Sequence, residues 1–355
     1  MFTKLEIENY KNIKKIELDN LKQINIIVGK NETGKTTILE TIYLMIAPSK
    51  PDLAVKVNSF RNLDQINDKY WPLFFNDLSL DNSINLKVIV KNPNEIRNLT
   101  IKPYYETSDD INTIDSSNVS FQTSETGITY PIKGLNLEYH LKKEDIQEKI
   151  LSSIFIEGKK VVKKRKPDDH EEPINGVFIN SFTMRLGDTP QRLGEILIKK
   201  ETKKIIKVLK RIEPSLQDIV LIDKGLIYCD VGLKNMIPVA SLGAGFLKIF
   251  AIILALSQIQ NGVIIIDEID NGLHNTSLSI LWEAIFTFAN ENNSQIFATT
   301  HSYECIKLLI NNPKFNKFKQ RIKLFRIEKK DEKSKIIDYN YDELENTIEQ
   351  NWEFR

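Results

Sequence analysis

Near the N-terminus, Gly29-Lys30-Asn31-Glu32-Thr33-Gly34-Lys35-Thr36 sets two glycines four residues apart and follows them with lysine and threonine. That spacing suits phosphate. The glycines let the backbone bend so that successive N–H groups point inward at anionic oxygens. Lys35 offers a point charge to terminal phosphates, and the Thr36 hydroxyl is a hard oxygen ligand for Mg2+. Thr37 continues the cradle, and a helix starting at Lys35 adds its positive dipole end.

Two further clusters have the residue types to complete such a site. Val263-Ile264-Ile265-Ile266 runs straight into Asp267 and Glu268. A carboxylate in the position of Asp267 can hold a metal, and one in the position of Glu268 can act as general base towards a water. The run Gln295–Ala298 leads to Thr299, Thr300, His301 and Ser302, where a neutral histidine can donate to a phosphate oxygen.

These side chains need strands that end together. Ile24–Val28 is apolar throughout and ends in glycine, as expected of a strand buried on both faces, and Lys35–Ile46 has helical spacing up to Pro48. Val263–Ile266 and Gln295–Thr299 are two more buried strands, each followed by its chemical residues at the end where open α/β sheets bind ligands. Leu5–Ile7 and Ile13–Leu18 read as short strands. Asn85–Val90, Leu99–Glu106, Val119–Thr123 and Thr129–Tyr139 alternate as antiparallel strands.

Residues 141–176 are dominated by charge, with Lys159–Lys166 at the centre, and read as a helical piece leading into an exposed insertion. Val177–Asn180 reads as a strand, Gln191–Arg211 as one long basic helix, and Ile219–Ile222 with Leu226–Val231 as a hairpin. Phe246–Ile259 and Leu278–Asn290 are apolar helices. Lys323–Glu328 and Lys335–Tyr341 form a closing hairpin before a last helix, Asp342–Gln350.

Composition bounds the partners. The 49 basic and 48 acidic residues leave a formal charge of +1, which excludes a chain coated in basic residues for nucleic acid but not a local patch. Lys203, Lys207 and Lys210 share one helical face, and Lys159–Lys166 and Lys314–Lys323 are two further basic stretches. Cys229 and Cys305 lack paired or metal-binding spacing and are expected to be reduced thiols. The N-terminus is too charged for a signal peptide, and the apolar stretch at Ile249–Ser257 is far short of the roughly 20 residues that span a bilayer, so a cytoplasmic protein without membrane contact is expected.

Together these residues resemble the ABC-type ATPases of the SMC, RecF and OLD-like branch. The opening LEIENYKNI with INIIVGKNETGKTTILE is similar to chromosome-associated and repair ATPases. The close LFRIEKKDEKSKIIDYNYDEL with WEFR is similar to stand-alone bacterial members. The likeness covers both ends and residues 230–305 well and the middle poorly. It implies an α/β fold: a P-loop ABC-type head with a mostly parallel core sheet, an antiparallel strand-rich lobe and a helical lobe. Residues 1–140 would form the first lobe, 141–176 the insertion and 177–355 the second lobe.

The resemblance also implies ATP and Mg2+ as cofactors and a composite site. Gly29–Thr37 would bind nucleotide, Thr36 and Asp267 the metal, and Lys35, Glu268 and His301 would serve hydrolysis. A signature loop, Gly243, Ala244 and Gly245, would reach the nucleotide of a second copy, although Gly243 stands where the family has serine and Ser241 lies two residues earlier. Asp270–His274 corresponds to the loop that meets the other copy. For the family's metal-sensing glutamine, Asn180-Ser181 is the candidate. The stretch after His301 is short for the nuclease domain of OLD-like proteins.

Two functional readings follow. One is an ATPase working through nucleotide-dependent dimerisation in a DNA-linked process, resembling the ATPase subunit of a two-gene antiviral system with a separate nuclease or toxin-like effector, or a RecF-like repair ATPase. The other is a slow-turnover switch that holds or releases an effector. Duplex DNA is a candidate partner in the first.

Overall fold

Short apolar runs that end in glycine or in acids build the central sheet of this chain. The computed structural model describes residues 1–61, 68–105, 132–144, 146–157, 160–167, 170, 172, 174–180, 189–222, 225–330 and 333–349. Strands β1 (Phe2–Tyr10) and β2 (Ile13–Leu18) form a hairpin closed by Lys11 and Asn12, longer than the Leu5–Ile7 run suggested. Then come β3 (Ile24–Gly29), β4 (Ile84–Val90), β5 (Glu95–Tyr105), β6 (Ile132–Lys143), β7 (Ile146–Glu157), β8 (Lys160–Lys166) and β9 (Gly176–Ile179). The second half adds β10 (Asp218–Ile222), β11 (Leu226–Asp230), β12 (Ile237–Pro238), β13 (Val263–Ile266), β14 (Gln295–Thr299), β15 (Ile322–Lys330) and β16 (Lys333–Tyr339).

The core sheet has the order β16-β15-β3-β14-β13-β9. Its strands are parallel except β16, which runs back along β15. A second, antiparallel sheet has the order β2-β1-β4-β5-β6-β7-β8, and β10-β11-β12 form a small third one. The two large sheets sandwich the helix Lys35–Ile46, which packs on β1 and β4 on one side and on β3, β9, β13 and β14 on the other.

Period-two alternation sorts each core strand between two apolar clusters. Ile24, Ile26, Val28, Ile264 and Ile266 join the core formed with the helices Ala244–Gln258, Asn275–Glu291 and Tyr303–Ile310. Ile27, Val263 and Ile265 face the helix Lys35–Ile46 and the antiparallel sheet. Burying a side chain such as Ile38, Leu39 or Ile42 in that layer stabilises by about 1.5–3 kcal/mol. All three are fully buried.

Two local expectations fail. Residues 141–176 are not a helix leading into an exposed loop, because their described part forms the end of β6, all of β7 and the edge strand β8. The charges flank a buried middle of β7, where Ile150 and Ser152–Phe155 are covered, and the lysines of β8 suit an unpaired edge. Likewise Gln191–Arg211 is two helices, Thr189–Ile198 and Thr202–Leu209. The chain turns at Lys200, whose φ is 59°, and the N–H of Glu201 donates back to the carbonyl of Ile196. Val119–Thr123 and Ser181 lie outside the described residues.

Candidate functional site

The three chemical clusters meet because β3, β14 and β13 are parallel neighbours and all end at one edge. The loop after β3 needs its glycines. Gly29 has a φ of 149° and Gly34 of 107°, and a Cβ on Gly29 would lie 2.6 Å from the carbonyl oxygen of Ile327. Thr33 donates to the Lys30 carbonyl at 2.9 Å, while Lys30, Asn31 and Glu32 are exposed along the rim. The Lys35 ammonium donates to the carbonyls of Gly29 at 2.9 Å and Lys30 at 2.7 Å. Burial pushes its pKa down, and Asp267 and Glu268 pull it back up.

Beneath the loop, the Thr36 hydroxyl donates to Asp267 Oδ2 at 3.1 Å. Thr299 donates to Asp267 Oδ1 at 2.5 Å and accepts the Glu268 N–H at 2.7 Å. Burial raises the Asp267 carboxyl above its usual range, and the Thr299 and Thr36 hydroxyls oppose that rise. Glu268 has a φ of 50°, a left-handed conformation that costs a non-glycine residue on the order of 1–2 kcal/mol. Its Oε2 accepts from Asn271 Nδ2 at 3.1 Å. Its carbonyl accepts from the buried Lys248 ammonium, which also donates to the Asn271 carbonyl at 3.0 Å.

Glu268, Asp270, Asn271, Thr300, His301 and the Gly29–Asn31 stretch line a cavity of about 980 Å³. His301 is exposed at its wall. Thr300 donates to Asp270 at 2.6 Å and so ties the loop after the acids to the loop after β14.

Thr36 and Asp267 suit Mg2+ on their chemistry, as two hard oxygen donors already within hydrogen-bonding distance. A glycine cradle that a Cβ would fill suits a polyphosphate. Thr37 is placed differently, with its hydroxyl donating to Asn12 in the β1–β2 turn at 2.8 Å. Asn180 sits at the end of β9, next to Asp267 through the bond from the Asp267 N–H to the Ile179 carbonyl, and its Nδ2 donates to the Phe60 carbonyl at 3.3 Å.

Lys35, Thr36 and Asp267, beneath the loop, and Gly243, Ala244 and Gly245 are not among the residues that line the cavity. Gly243–Gly245 open the helix Ala244–Gln258, where Gly243 has a φ of 90° and open space around its missing side chain. Gly245 is needed for close approach, since a Cβ there would meet the Gly272 carbonyl at 2.6 Å. From sequence, Asn12 and Lys248 carry no role, Thr299 is only part of the run before His301, and Asn271 only part of the loop Asp270–His274. Lys248 had a signal, a single charge inside an apolar helix, whereas Thr299 looked like any strand end.

With this geometry in place, comparison with known proteins has clear content. A family model described as "AAA domain, putative AbiEii toxin, Type IV TA system" matches residues 24–306. The chain belongs to that family. This AAA-domain chain is 24% identical over 353 residues, covering 94% of each protein, to an "ATP/GTP phosphatase" of Helicobacter pylori. A segment of 43 residues, 12% of each chain, is 51% identical to the DNA replication and repair protein RecF of Nitrosococcus oceani. Among solved structures, an Smc head bound to the C-winged helix domain of ScpA superposes with a TM-score of 0.50 at 13% identity, covering 98% of this chain and 99% of that one. The fold is the head fold of SMC proteins, and the chain is of the SMC/RecF-like ABC type. Among the described residues no helix is long and apolar enough to cross a membrane.

Proposed function

We propose that this AAA-domain chain binds Mg-ATP at Gly29–Thr36 and hydrolyses it to ADP and phosphate, with a second copy completing the site. The observation that carries the reading is the convergence of Lys35, Thr36, Asp267 and Glu268 at the ends of parallel strands, with Thr36 already bonded to Asp267. Likeness along 94% of the chain to an ATP/GTP phosphatase of Helicobacter pylori supports phosphate cleavage from a nucleotide.

In this reading the loop N–H groups and Lys35 hold the phosphates, the Lys35 ammonium leaving its loop carbonyls for stronger anionic acceptors. Thr36 and Asp267 would hold Mg2+, which when bound neutralises charge on the phosphates. Glu268 accepts a proton from the attacking water, and His301 donates from the cavity wall to the terminal phosphate. Gly243–Gly245 open the helix Ala244–Gln258, and we assign that helix start to the nucleotide of the second copy.

The setting we favour is a bacterial defence system in which a separate nuclease or toxin-like protein is the effector. The AbiEii and toxin–antitoxin wording of the family and the RecF-like segment support it. One observation favours the slower, switch-like alternative: Gly243 gives no side-chain donor where the family has serine. The test is Glu268→Gln in the full chain. It should bind ATP as the parent does, lose turnover about 100-fold or more and accumulate as an ATP-dependent dimer on light scattering. Unchanged turnover would remove Glu268 from the role of base.

A further inference from the structure

Glu268 carries both a strained backbone and, in the reading above, the base, and its backbone is held from two other segments as well as from its own loop. Its N–H goes to Thr299 at the end of β14, its carbonyl accepts from Lys248 on the helix Ala244–Gln258 and from the Asn271 N–H at 3.0 Å, and its carboxylate accepts from Asn271 Nδ2. Thr299 and Lys248 are both buried, so neither bond is exchanged easily for water.

We propose that Thr299 and Lys248 are positioning residues for hydrolysis, one hydroxyl and one ammonium clamping the Glu268 peptide so that its carboxylate stays on the cavity wall. Thr299 does two things with one oxygen. It donates to Asp267 and accepts from the next residue in the chain, so the metal-side carboxylate and the base are set relative to each other by a single hydroxyl. Lys248 supplies the opposite hold. It lies one helical turn after Ala244, at the start of the helix that the glycine loop opens, and ties that helix to the carbonyls of Glu268 and Asn271. The lysine occupies an otherwise apolar stretch, Phe246–Leu256, where a charge is costly unless it bonds as this one does.

A clamp of this kind acts on the reacting geometry and leaves the phosphate cradle alone. A misplacement of about 1 Å at a reacting group costs on the order of 100-fold in rate. The inference rests on ATP hydrolysis at this site, and the experiment separates the two.

Thr299→Val keeps the shape and removes the hydroxyl, Thr299→Ser keeps the hydroxyl, and Lys248→Met keeps the length and removes the charge. We expect Thr299→Val and Lys248→Met to lower kcat by about 10- to 100-fold with KM for Mg-ATP within about twofold of the parent. Hydrogen exchange of the nucleotide-free chain gives a readout apart from activity. The Glu268 amide should exchange faster in Thr299→Val, and serine should restore both the amide protection and kcat. The clamp is overturned if Thr299→Val keeps parental kcat, if serine is as slow as valine, or if KM rises in step with the fall in kcat. Lys248→Met decides the matter on the same kinetic criteria should the valine variant fail to fold. A parent chain with no Mg-ATP turnover would overturn the ATPase reading itself, whereas turnover shared by parent and variants overturns the clamp alone.

Discussion

At the scale of single residues, the site sets opposite charges against burial. Asp267 lies under the phosphate loop with both carboxylate oxygens taken by threonine hydroxyls, and burial still lifts its pKa. A carboxyl whose folded value lies above its unfolded value opposes folding once ionised. Stability therefore falls as pH rises through the interval between the two values, and at neutral pH the cost is fully present. Asp267→Asn removes that charge and keeps an oxygen acceptor. We expect the variant to melt about 1–3 °C above the parent at neutral pH in the absence of Mg2+ and to lose Mg-dependent turnover. The gap should close as pH is lowered and the parent carboxyl protonates. A variant less stable than the parent at neutral pH would show that the two hydroxyls outweigh the burial.

At the scale of elements, the β1–β2 hairpin is fastened to the first helix as well as to the loop. Asn12 donates to the Glu32 carbonyl at 2.9 Å and accepts from Thr37. Next to it, Lys11 and Arg61 both bond the fully buried Glu40 of the helix Lys35–Ile46, at 2.9 and 2.7 Å. Burial pushes the Lys11 ammonium down to about 8. Removing Glu40 leaves Lys11 buried without a counter-charge, which costs about 3–5 kcal/mol, whereas Arg61 is exposed and can turn to water. Glu40→Ala should therefore lower the urea midpoint by that equivalent, and a loss below about 1 kcal/mol would mean water reaches the cluster. Sequence periodicity revealed the helix to its last residue but not this cluster. Lys11, Glu40 and Arg61 are far apart in the chain, and only the packing of the hairpin against the helix makes them neighbours.

At the scale of the whole molecule, near-zero net charge coexists with separate basic surfaces. Strand β8 presents exposed lysines along a free sheet edge, and Lys203, Lys207 and Lys210 are exposed on the helix Thr202–Leu209 and just beyond it. If the DNA-linked reading holds, duplex DNA should raise ATP turnover several-fold at low salt, and the stimulation should fall steeply with added salt as counterions compete. Turnover indifferent to DNA at low salt, with nucleotide-dependent capture of the protein encoded beside it, would favour the switch.

The chain positions of the central strands and of the loops after them were legible from residues alone. The phosphate loop, the acids after β13, the histidine after β14 and the strands that carry them were legible because their signals are local, in glycine spacing, apolar runs and chain order. The strand character of residues 146–166 was not legible, because only the middle of β7 is buried and its charged ends and β8 show no apolar alternation. Nor was the break at Lys200, since a lysine in the left-handed region leaves no compositional mark. The glycine spacing of the loop after β3 was plain in the sequence, but what surrounds Glu268 was decided in three dimensions. Thr299 reaches Glu268 only once parallel pairing brings β13 and β14 to one edge, and Lys248 only once the helix Ala244–Gln258 packs beside them, whereas the bond from Asn271 is local.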